Sequence, residues 1–207
     1  MIQVTRFILV RHGQTAWNRE ERFRGQSDVP LNETGLAQAS ETARRIAIQW
    51  RPSAVYTSPL LRARQTAQAI AEPLGLAVHP HAGLNDINFG QLQGLTVPEA
   101  RERWPDVVDA WFRTPHLAQL PGGERLAEVS ERAMAAVHEL AALHTGDTIV
   151  LVGHLVLNRV LLLGVLGLGG DWFWRLGQDT CAINVFEYED GDFTLLTLND
   201  TCHLRAT

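Results

Sequence analysis

Short runs of apolar residues alternate along the chain with longer segments in which apolar residues recur every three or four positions. An uninterrupted apolar run is typical of a strand covered on both faces, and the longer spacing is typical of an amphipathic helix. These patterns predict strands at residues 7–10, 54–57 and 148–152, and helices at 34–50, 59–74, 126–143 and 155–166. Ser58 is predicted to cap the second helix, with Pro59 in its first turn.

The carboxyl-terminal part of the chain carries a hairpin pattern. Strand-like runs at residues 183–188 and 193–198 are joined by Asp190-Gly191, a dipeptide that favours a tight turn between antiparallel strands. Together with the alternating strands and helices before it, this pattern predicts an α/β fold with a mostly parallel central sheet and helices on both faces.

The segment between residues 72 and 123 is interrupted by proline and glycine and is harder to assign. Residues 97–104 and 106–113 fit short helices. We interpret about residues 80–123 as a small helical cap inserted over the sheet. The whole chain, residues 1–207, is then expected to form a single domain.

Two histidines follow buried apolar runs in matching positions. His12 lies two residues after the first strand and His154 lies two residues after the strand at 148–152. In α/β folds ligands bind outside the carboxyl ends of the strands, so both imidazoles are expected at one edge if these strands are neighbours. A histidine at a strand end often only bonds a backbone carbonyl, but a matched pair, one of them beside Arg11, favours a functional site.

The basic residues restrict the chemistry, because all 18 Lys+Arg residues are arginine. The absence of lysine excludes a Schiff base, a lysine general base and a Gly-Lys-Ser/Thr phosphate loop. Arginine beside histidine at a strand end suits phosphoryl transfer, because guanidinium pairs with phosphate oxygens and a nearby cation keeps imidazole neutral. Asn18 offers an amide donor. Arg62 lies near a helix amino end that favours anions, although for this arginine taken alone a solvated helix face is the more common explanation.

The net charge and the cysteine content limit the expected binding partners and the expected cellular compartment. A formal net charge of −5 argues against broad binding to nucleic acid or acidic membranes. Cys181 and Cys202 form no CxxC pair, so a reduced, cytoplasmic setting is expected, and the amino end lacks the long apolar core of a secretory signal. The apolar region 148–170 contains Arg159 and other polar residues, and we interpret it as a buried strand and helix rather than a membrane span.

Several segments resemble, in order, the signature of the histidine phosphatase superfamily, which includes cofactor-dependent phosphoglycerate mutases and broad-specificity phosphomonoesterases. The resemblance spans the chain, and it is strong because a second arginine and a second histidine follow the first box. The matching segments are 9–18 (LVRHGQTAWN), 28–35 (DVPLNETG), 58–63 (SPLLRA), 89–94 (FGQLQG), 121–124 (PGGE) and 152–154 (VGH).

The resemblance implies that His12 accepts the phosphoryl group and that a clamp of four residues holds it: Arg11, Arg62, His154 and Asn18. The family commonly uses a glutamate as proton donor, and Asp86 occupies that position here. Aspartate is one methylene shorter, so the loop must move in or a water must bridge the gap. Two alternatives remain open. Asp86 is then only a turn residue, or the acid is Glu124 or Glu20.

The substrate pocket is less defined. Leu155 stands where the family often has glycine, and it is expected to shape the pocket. Further candidates for substrate contact are Trp17, Phe23, Gln26 and Ser27, and His203 is a weak candidate. A place in the core explains Trp17 and Phe23 at least as well, as it does Phe89 and Leu92. His79-Pro80-His81 lacks the partners of a metal site, so we expect no metal and no cofactor.

The function implied is hydrolysis of a small phosphomonoester, such as a sugar phosphate, phosphoglycerate, phosphoserine or α-ribazole phosphate, through a phosphohistidine. Mutases of the family are typically longer, with an insertion that shields the intermediate from water, so a shorter chain favours hydrolysis. A cofactor-dependent mutase and a non-catalytic phosphoester-binding module are the alternatives. The partner expected is the small phosphomonoester, without nucleic acid or membrane, and a homodimer is the candidate assembly.

Overall fold

The computed structural model describes residues 4–204. Its strands are β1 (Thr5–Arg11), β2 (Ala54–Thr57), β3 (Val78–Pro80), β4 (Thr148–Gly153), β5 (Ile183–Glu189) and β6 (Asp192–Asp200). Its α-helices are α1 (Ala16–Arg19), α2 (Glu33–Gln49), α3 (Leu61–Ala71), α4 (Val97–Arg103), α5 (Pro105–Arg113), α6 (Leu126–Leu143) and α7 (Leu155–Val165). Short 3-10 turns complete several of the connections.

The strands form one sheet in the order β3-β2-β4-β1-β5-β6. The first four of these run parallel to one another, whereas β5 and β6 pair in antiparallel fashion. The predicted α/β class with a mostly parallel sheet is therefore confirmed, and Asp190-Gly191 forms the turn of the predicted hairpin. β4 enters between β1 and β2, which places the two histidine-bearing strands side by side.

Alternate residues of β1 enter two different cores. Phe7 and Leu9 belong to the core that includes residues of α6 and α7. Ile8 and Val10 belong to the core that includes residues of α2 and α3. All four side chains are fully buried. Because successive strand residues point to opposite faces and both faces are covered, the run is apolar at every position.

The start of α3 differs from the prediction. The helix begins at Leu61, its N-cap is Leu60, and this residue makes no side-chain capping bond. Ser58 does not cap the helix: its Oγ accepts from the Leu60 amide at 3.3 Å and donates to Asn85 Oδ1 at 3.3 Å. The serine therefore joins the strand end to the loop that follows β3, because its hydroxyl finds partners on both sides of that junction.

The end of α3 and the strand after it also differ from the prediction. α3 ends at Ala71, and the chain tightens into a 3-10 turn at Glu72–Leu74, because Pro73 has no amide hydrogen to continue the helix. Gly75 closes the turn with a φ of 66°. β3 was not predicted, since three residues are too few to show a strand period.

The apolar region after residue 148 forms β4 and α7, as predicted. All residues of β4 after Thr148 are buried, and most of α7 is buried as well. Arg159 keeps its guanidinium against the rings of Phe173 and Trp174. Over residues 4–204, no helix has both the length and the apolar character that crossing a membrane requires.

Candidate active site

The carboxyl ends of β1 and β4 bring His12 and His154 together. Arg11 is paired with Gly153 in the sheet, and the His12 amide donates to the Gly153 carbonyl at 3.0 Å. The two imidazole centroids lie 5.2 Å apart. His12 is 1% exposed and His154 is 0% exposed. The expectation that the two rings emerge at one sheet edge agrees with this geometry.

His12 is held in one orientation by its own loop. Its Nδ1 lies 2.7 Å from the carbonyl oxygen of Gly13, which can only accept, so Nδ1 carries the proton and donates. Burial lowers the pKa of His12 well below 6.5, and the cations of Arg62 and Arg11 lower it further. The ring is therefore neutral at physiological pH, and its Nε2 lone pair is available as a nucleophile.

Arg62 is fixed by two backbone carbonyls. Its Nη1 donates to the Ser27 oxygen and its Nη2 to the Gly25 oxygen, both at 2.7 Å, and Nη2 also lies 3.1 Å from Asp86 Oδ2. The side chain is 0% exposed. A fully buried guanidinium with these partners is not a solvated helix face, so that alternative is wrong.

Arg11 and His154 complete the inner shell around His12. Arg11 Nη1 donates to the Gln178 carbonyl at 2.5 Å. Burial, with a contribution from Arg24, lowers the pKa of Arg11 to about 9, so the guanidinium stays charged at neutral pH. Burial also lowers the pKa of His154 well below 6.5. Both ring nitrogens of His154 are buried without a hydrogen-bond partner among residues 4–204.

Asp86 lies at the centre of this group. Its Oδ2 is 3.1 Å from Arg62 Nη2 and 3.6 Å from His154 Nδ1, and its Oδ1 accepts from the Ile87 amide at 3.0 Å. Burial raises its pKa above 3.8, and Arg62 and then Arg24 oppose the rise. A buried carboxyl with a raised pKa beside a neutral imidazole has the properties of a proton donor.

The loop that carries Asp86 is anchored from behind. Arg132 on α6 donates to the backbone oxygens of Gly83, Asn85 and Asp86 at 2.8 to 3.1 Å. Glu124 holds Arg132 through an ion pair of 2.9 Å. A loop held at three carbonyls has little freedom to shift. Arg132 therefore fixes how far the carboxyl group of Asp86 extends into the site.

The alternative acids and metal ligands lie elsewhere. Glu124 is engaged with Arg132, and Glu20 with Arg22 Nε at 2.5 Å on the surface. His203 Nε2 lies 3.0 Å from Thr42 Oγ1 on α2. His81 Nδ1 accepts from the Gly83 amide. No group of three or more His, Cys, Asp or Glu side chains suited to a metal ion occurs in the part of the chain described here.

A cavity of about 320 Å³ is lined by Arg11 and Asp86, whereas His12, Arg62 and His154 are buried outside its lining. Of the residues predicted to contact substrate, Asn18, Phe23 and Leu155 line it, as does Phe89. Asn18 Oδ1 accepts from the Thr15 amide and hydroxyl. Because its oxygen is occupied in this way, its amide nitrogen remains for a ligand.

The other three predicted contact residues do not line the cavity. Gln26 donates from Nε2 to the Asp86 carbonyl, and Ser27 offers its carbonyl to Arg62. The Trp17 carbonyl accepts from Arg24. Leu92 is fully buried in the core. These residues support the site through backbone and core contacts, which sequence alone does not distinguish from contacts to a ligand.

Sequence reasoning missed several residues of the cavity wall. Arg24, Arg22 and Glu21 line it from the segment after α1, and Trp111, Phe112 and Trp174 line it from distant parts of the chain. Trp111 and Trp174 pack edge to face with centroids 6.0 Å apart. Arg24 had one available signal, since it follows Asn18 closely in the chain, but nothing in its neighbourhood separates it from a surface arginine.

Known proteins resemble this chain in sequence over nearly its whole length. The sequence profile of the histidine phosphatase superfamily (branch 1) matches residues 7–201. The chain is 34% identical to phosphoserine phosphatase 1 of Hydrogenobacter thermophilus, over 97% of this chain and 95% of that protein. It is 37% identical to a metal-independent phosphoserine phosphatase of Arabidopsis thaliana, over 99% of this chain and 85% of that protein.

The fold also matches solved structures. Bacillus stearothermophilus YhfR superimposes with a TM-score of 0.92 at 30% identity, covering 97% of this chain and all of that one. With the profile match over nearly its full length, the chain belongs to the histidine phosphatase superfamily, branch 1.

Proposed function

We propose that this chain is a metal-independent phosphomonoesterase that hydrolyses small phosphorylated metabolites through a phosphohistidine on His12. The observation that carries the proposal is the convergence of a neutral, oriented imidazole with two guanidinium groups, a second imidazole and a buried carboxyl. Relatives named as phosphoserine phosphatases support the same reaction class.

In the first step His12 Nε2 attacks phosphorus in line with the ester oxygen. The bond between phosphorus and that oxygen breaks, and the departing alkoxide takes the proton of Asp86. Arg11, Arg62 and His154 surround the transferring group, and the two guanidinium groups stabilise the charge spread over its equatorial oxygens. Asn18 adds a neutral donor through its free amide nitrogen.

In the second step the Asp86 carboxylate takes a proton from a water molecule. The water oxygen attacks phosphorus, the bond between phosphorus and Nε2 breaks, and inorganic phosphate leaves. Asp86 regains its proton and His12 returns to the neutral form. The same carboxyl thus serves as acid and then as base, as its raised pKa and its position beside Arg62 allow.

The cap is part of this proposal. Residues within about 80–123 contribute Phe89, Trp111 and Phe112 to the cavity wall. These rings line one side of the cavity without closing it, and Phe112 is itself 40% exposed. An open cavity favours hydrolysis over mutase chemistry, since a mutase must protect its phosphohistidine from water.

The direct test is turnover with two substrates in the presence of EDTA. We expect p-nitrophenyl phosphate and 3-phosphoglycerate to release phosphate, without isomerisation when 2,3-bisphosphoglycerate is added. An alkaline quench should trap one phosphate on the peptide containing His12. Isomerisation without net phosphate release would instead indicate the mutase, and binding without either reaction would indicate a non-catalytic module. The reduced cytoplasmic setting and the homodimer stay predictions.

A further inference from the structure

Arg24 is a cation in the cavity that the proposed reaction does not use. It lines the cavity with Arg11, Arg22 and Asp86. Its hydrogen bonds run from Nη1 to the carbonyls of Trp17 and Arg22, at 3.3 and 3.4 Å, which are long contacts to neutral groups. Its Nε is buried without a hydrogen-bond partner in the described range 4–204.

The charge of Arg24 is not balanced by a carboxylate of its own. Within residues 4–204 it takes part in no ion pair, whereas Arg22 is paired with Glu20 at 2.5 Å and Glu99 at 3.6 Å. Asp86 is an opposite charge that acts on Arg24, and that carboxyl group already bonds Arg62. Glu21 on the rim is exposed, so solvent screens it. An anionic ligand would satisfy the remaining donors.

The depth of Arg24 in the cavity separates it from the phosphate clamp. His12, Arg62 and His154 are at most 1% exposed and do not line the cavity, whereas Arg24 lines it and is partly exposed. In-line attack by His12 places the leaving group on the far side of phosphorus, toward the opening. Arg24 is therefore placed beside the leaving alcohol rather than beside the transferring phosphoryl group.

We propose that Arg24 binds a carboxylate on the leaving alcohol and so selects phosphomonoesters that carry a second anionic group. Guanidinium suits this task because its fork of donors matches the two oxygens of a carboxylate. The inference rests on the proposed phosphatase function and names the substrate class of that same site. Arg24 is a specificity-determining residue in this scheme, without a part in bond making.

The test compares two esters that differ in one group. 3-Phosphoglycerate carries a carboxylate where glycerol 3-phosphate carries a hydroxymethyl group. We expect the wild-type kcat/KM to be higher for 3-phosphoglycerate, and Arg24→Gln to lower that value about 10- to 100-fold while changing glycerol 3-phosphate by less than about threefold. Arg24→Lys should restore part of the preference. Arg19→Gln, an exposed arginine on α1, is the matched control.

Other outcomes separate the alternatives. An equal loss with both esters and with p-nitrophenyl phosphate would place Arg24 in the phosphate clamp and overturn the inference, as would no change. If the wild type hydrolyses none of the esters, the proposed function fails. Calorimetric binding of the two esters to His12→Ala, with and without Arg24→Gln, then tests carboxylate recognition independently of turnover. The inference is supported if Arg24→Gln weakens the binding of 3-phosphoglycerate but not that of glycerol 3-phosphate. An equal effect of Arg24→Gln on the two esters overturns it.

Discussion

Arg62 Nη2 lies 3.1 Å from Asp86 Oδ2, and both side chains are almost fully buried. The guanidinium also donates to the carbonyls of Gly25 and Ser27, which hold it in place. The Asp86 carboxyl is therefore the partner that a ligand can replace. The phosphate group of a bound substrate competes for the same cation before it is transferred to His12. When it engages Arg62, Asp86 loses its opposing charge and its protonated form is favoured, which is the form that the first step needs.

Replacing Arg62 with glutamine should lower kcat/KM by about 10²- to 10³-fold, because it removes a charged donor from the developing charge on phosphorus. It also leaves Asp86 without its nearest cation, so we expect a lower free energy of unfolding. Turnover of p-nitrophenyl phosphate and urea denaturation measure the two effects. Arg64→Gln, on the exposed face of the same helix, is the control, and equal effects from both variants would contradict the assignment.

His12→Ala should abolish turnover and the alkali-stable phosphate adduct while leaving the fold intact. The reason is that no other imidazole in the site can take its place, since His154 has no comparable hydrogen bond to orient it. Mass spectrometry after a quench, together with circular dichroism, checks both parts. His116→Ala, an exposed histidine away from the site, should behave as wild type. An adduct that persists in His12→Ala would refute the nucleophile.

Asp86→Asn should slow alkyl phosphates by about 10²- to 10⁴-fold and aryl phosphates much less. An alkoxide is a poor leaving group and needs the proton, whereas p-nitrophenolate leaves without one. Steady-state kinetics with glycerol 3-phosphate and p-nitrophenyl phosphate measure the difference. Asp86→Glu, which keeps the carboxyl, is the matched variant and should retain more activity on the alkyl ester. Equal slowing of both esters by asparagine would rule out the acid role.

The free energy of unfolding should fall as the pH drops below about 6.5, because the pKa of both buried histidines is lowered in the folded state. The unfolded chain then binds protons that the folded chain excludes. Each histidine contributes a slope of up to ~1.4 kcal/mol per pH unit in the window between its unfolded and folded pKa. The two neutral histidines thus stabilise the folded state fully above pH 6.5, and this stabilisation is lost as the pH falls further.

Urea denaturation of the wild type and of His154→Gln between pH 7.5 and pH 5 measures this slope. The variant should show a flatter dependence, and His116→Ala an unchanged one. Asp86 has the opposite effect in the pH range where it titrates, because its pKa is raised in the folded state. Its contribution to the free energy of unfolding is present at low pH and is lost as the pH rises through its pKa in the folded protein. A slope that is the same in His154→Gln and the wild type would contradict a depressed pKa at His154.

The positions of His12 and His154 could be predicted because a strand covered on both faces leaves a clear apolar run, and the residue after it must lie at the sheet edge. The roles of Arg62 and Asp86 came from the resemblance to a family rather than from spacing. The prediction that Ser58 caps α3 was wrong, because the Ser58 hydroxyl donates a hydrogen bond to Asn85, which is distant in sequence. No local pattern carries information about such a partner.

Local sequence was enough for the main strands and helices and for the adjacent Arg11 and His12 at the end of β1, since each of these follows from neighbours in the chain, whereas the short β3 was not predicted. The depth at which Arg24 lies, the anchoring of the Asp86 loop by Arg132 and the aromatic wall of Trp111 and Trp174 depend on long-range packing. Burial sets which charges stay unpaired and which pKa values shift. Burial in turn depends on contacts between residues far apart in sequence, which exist only once the sheet and the cap have packed together.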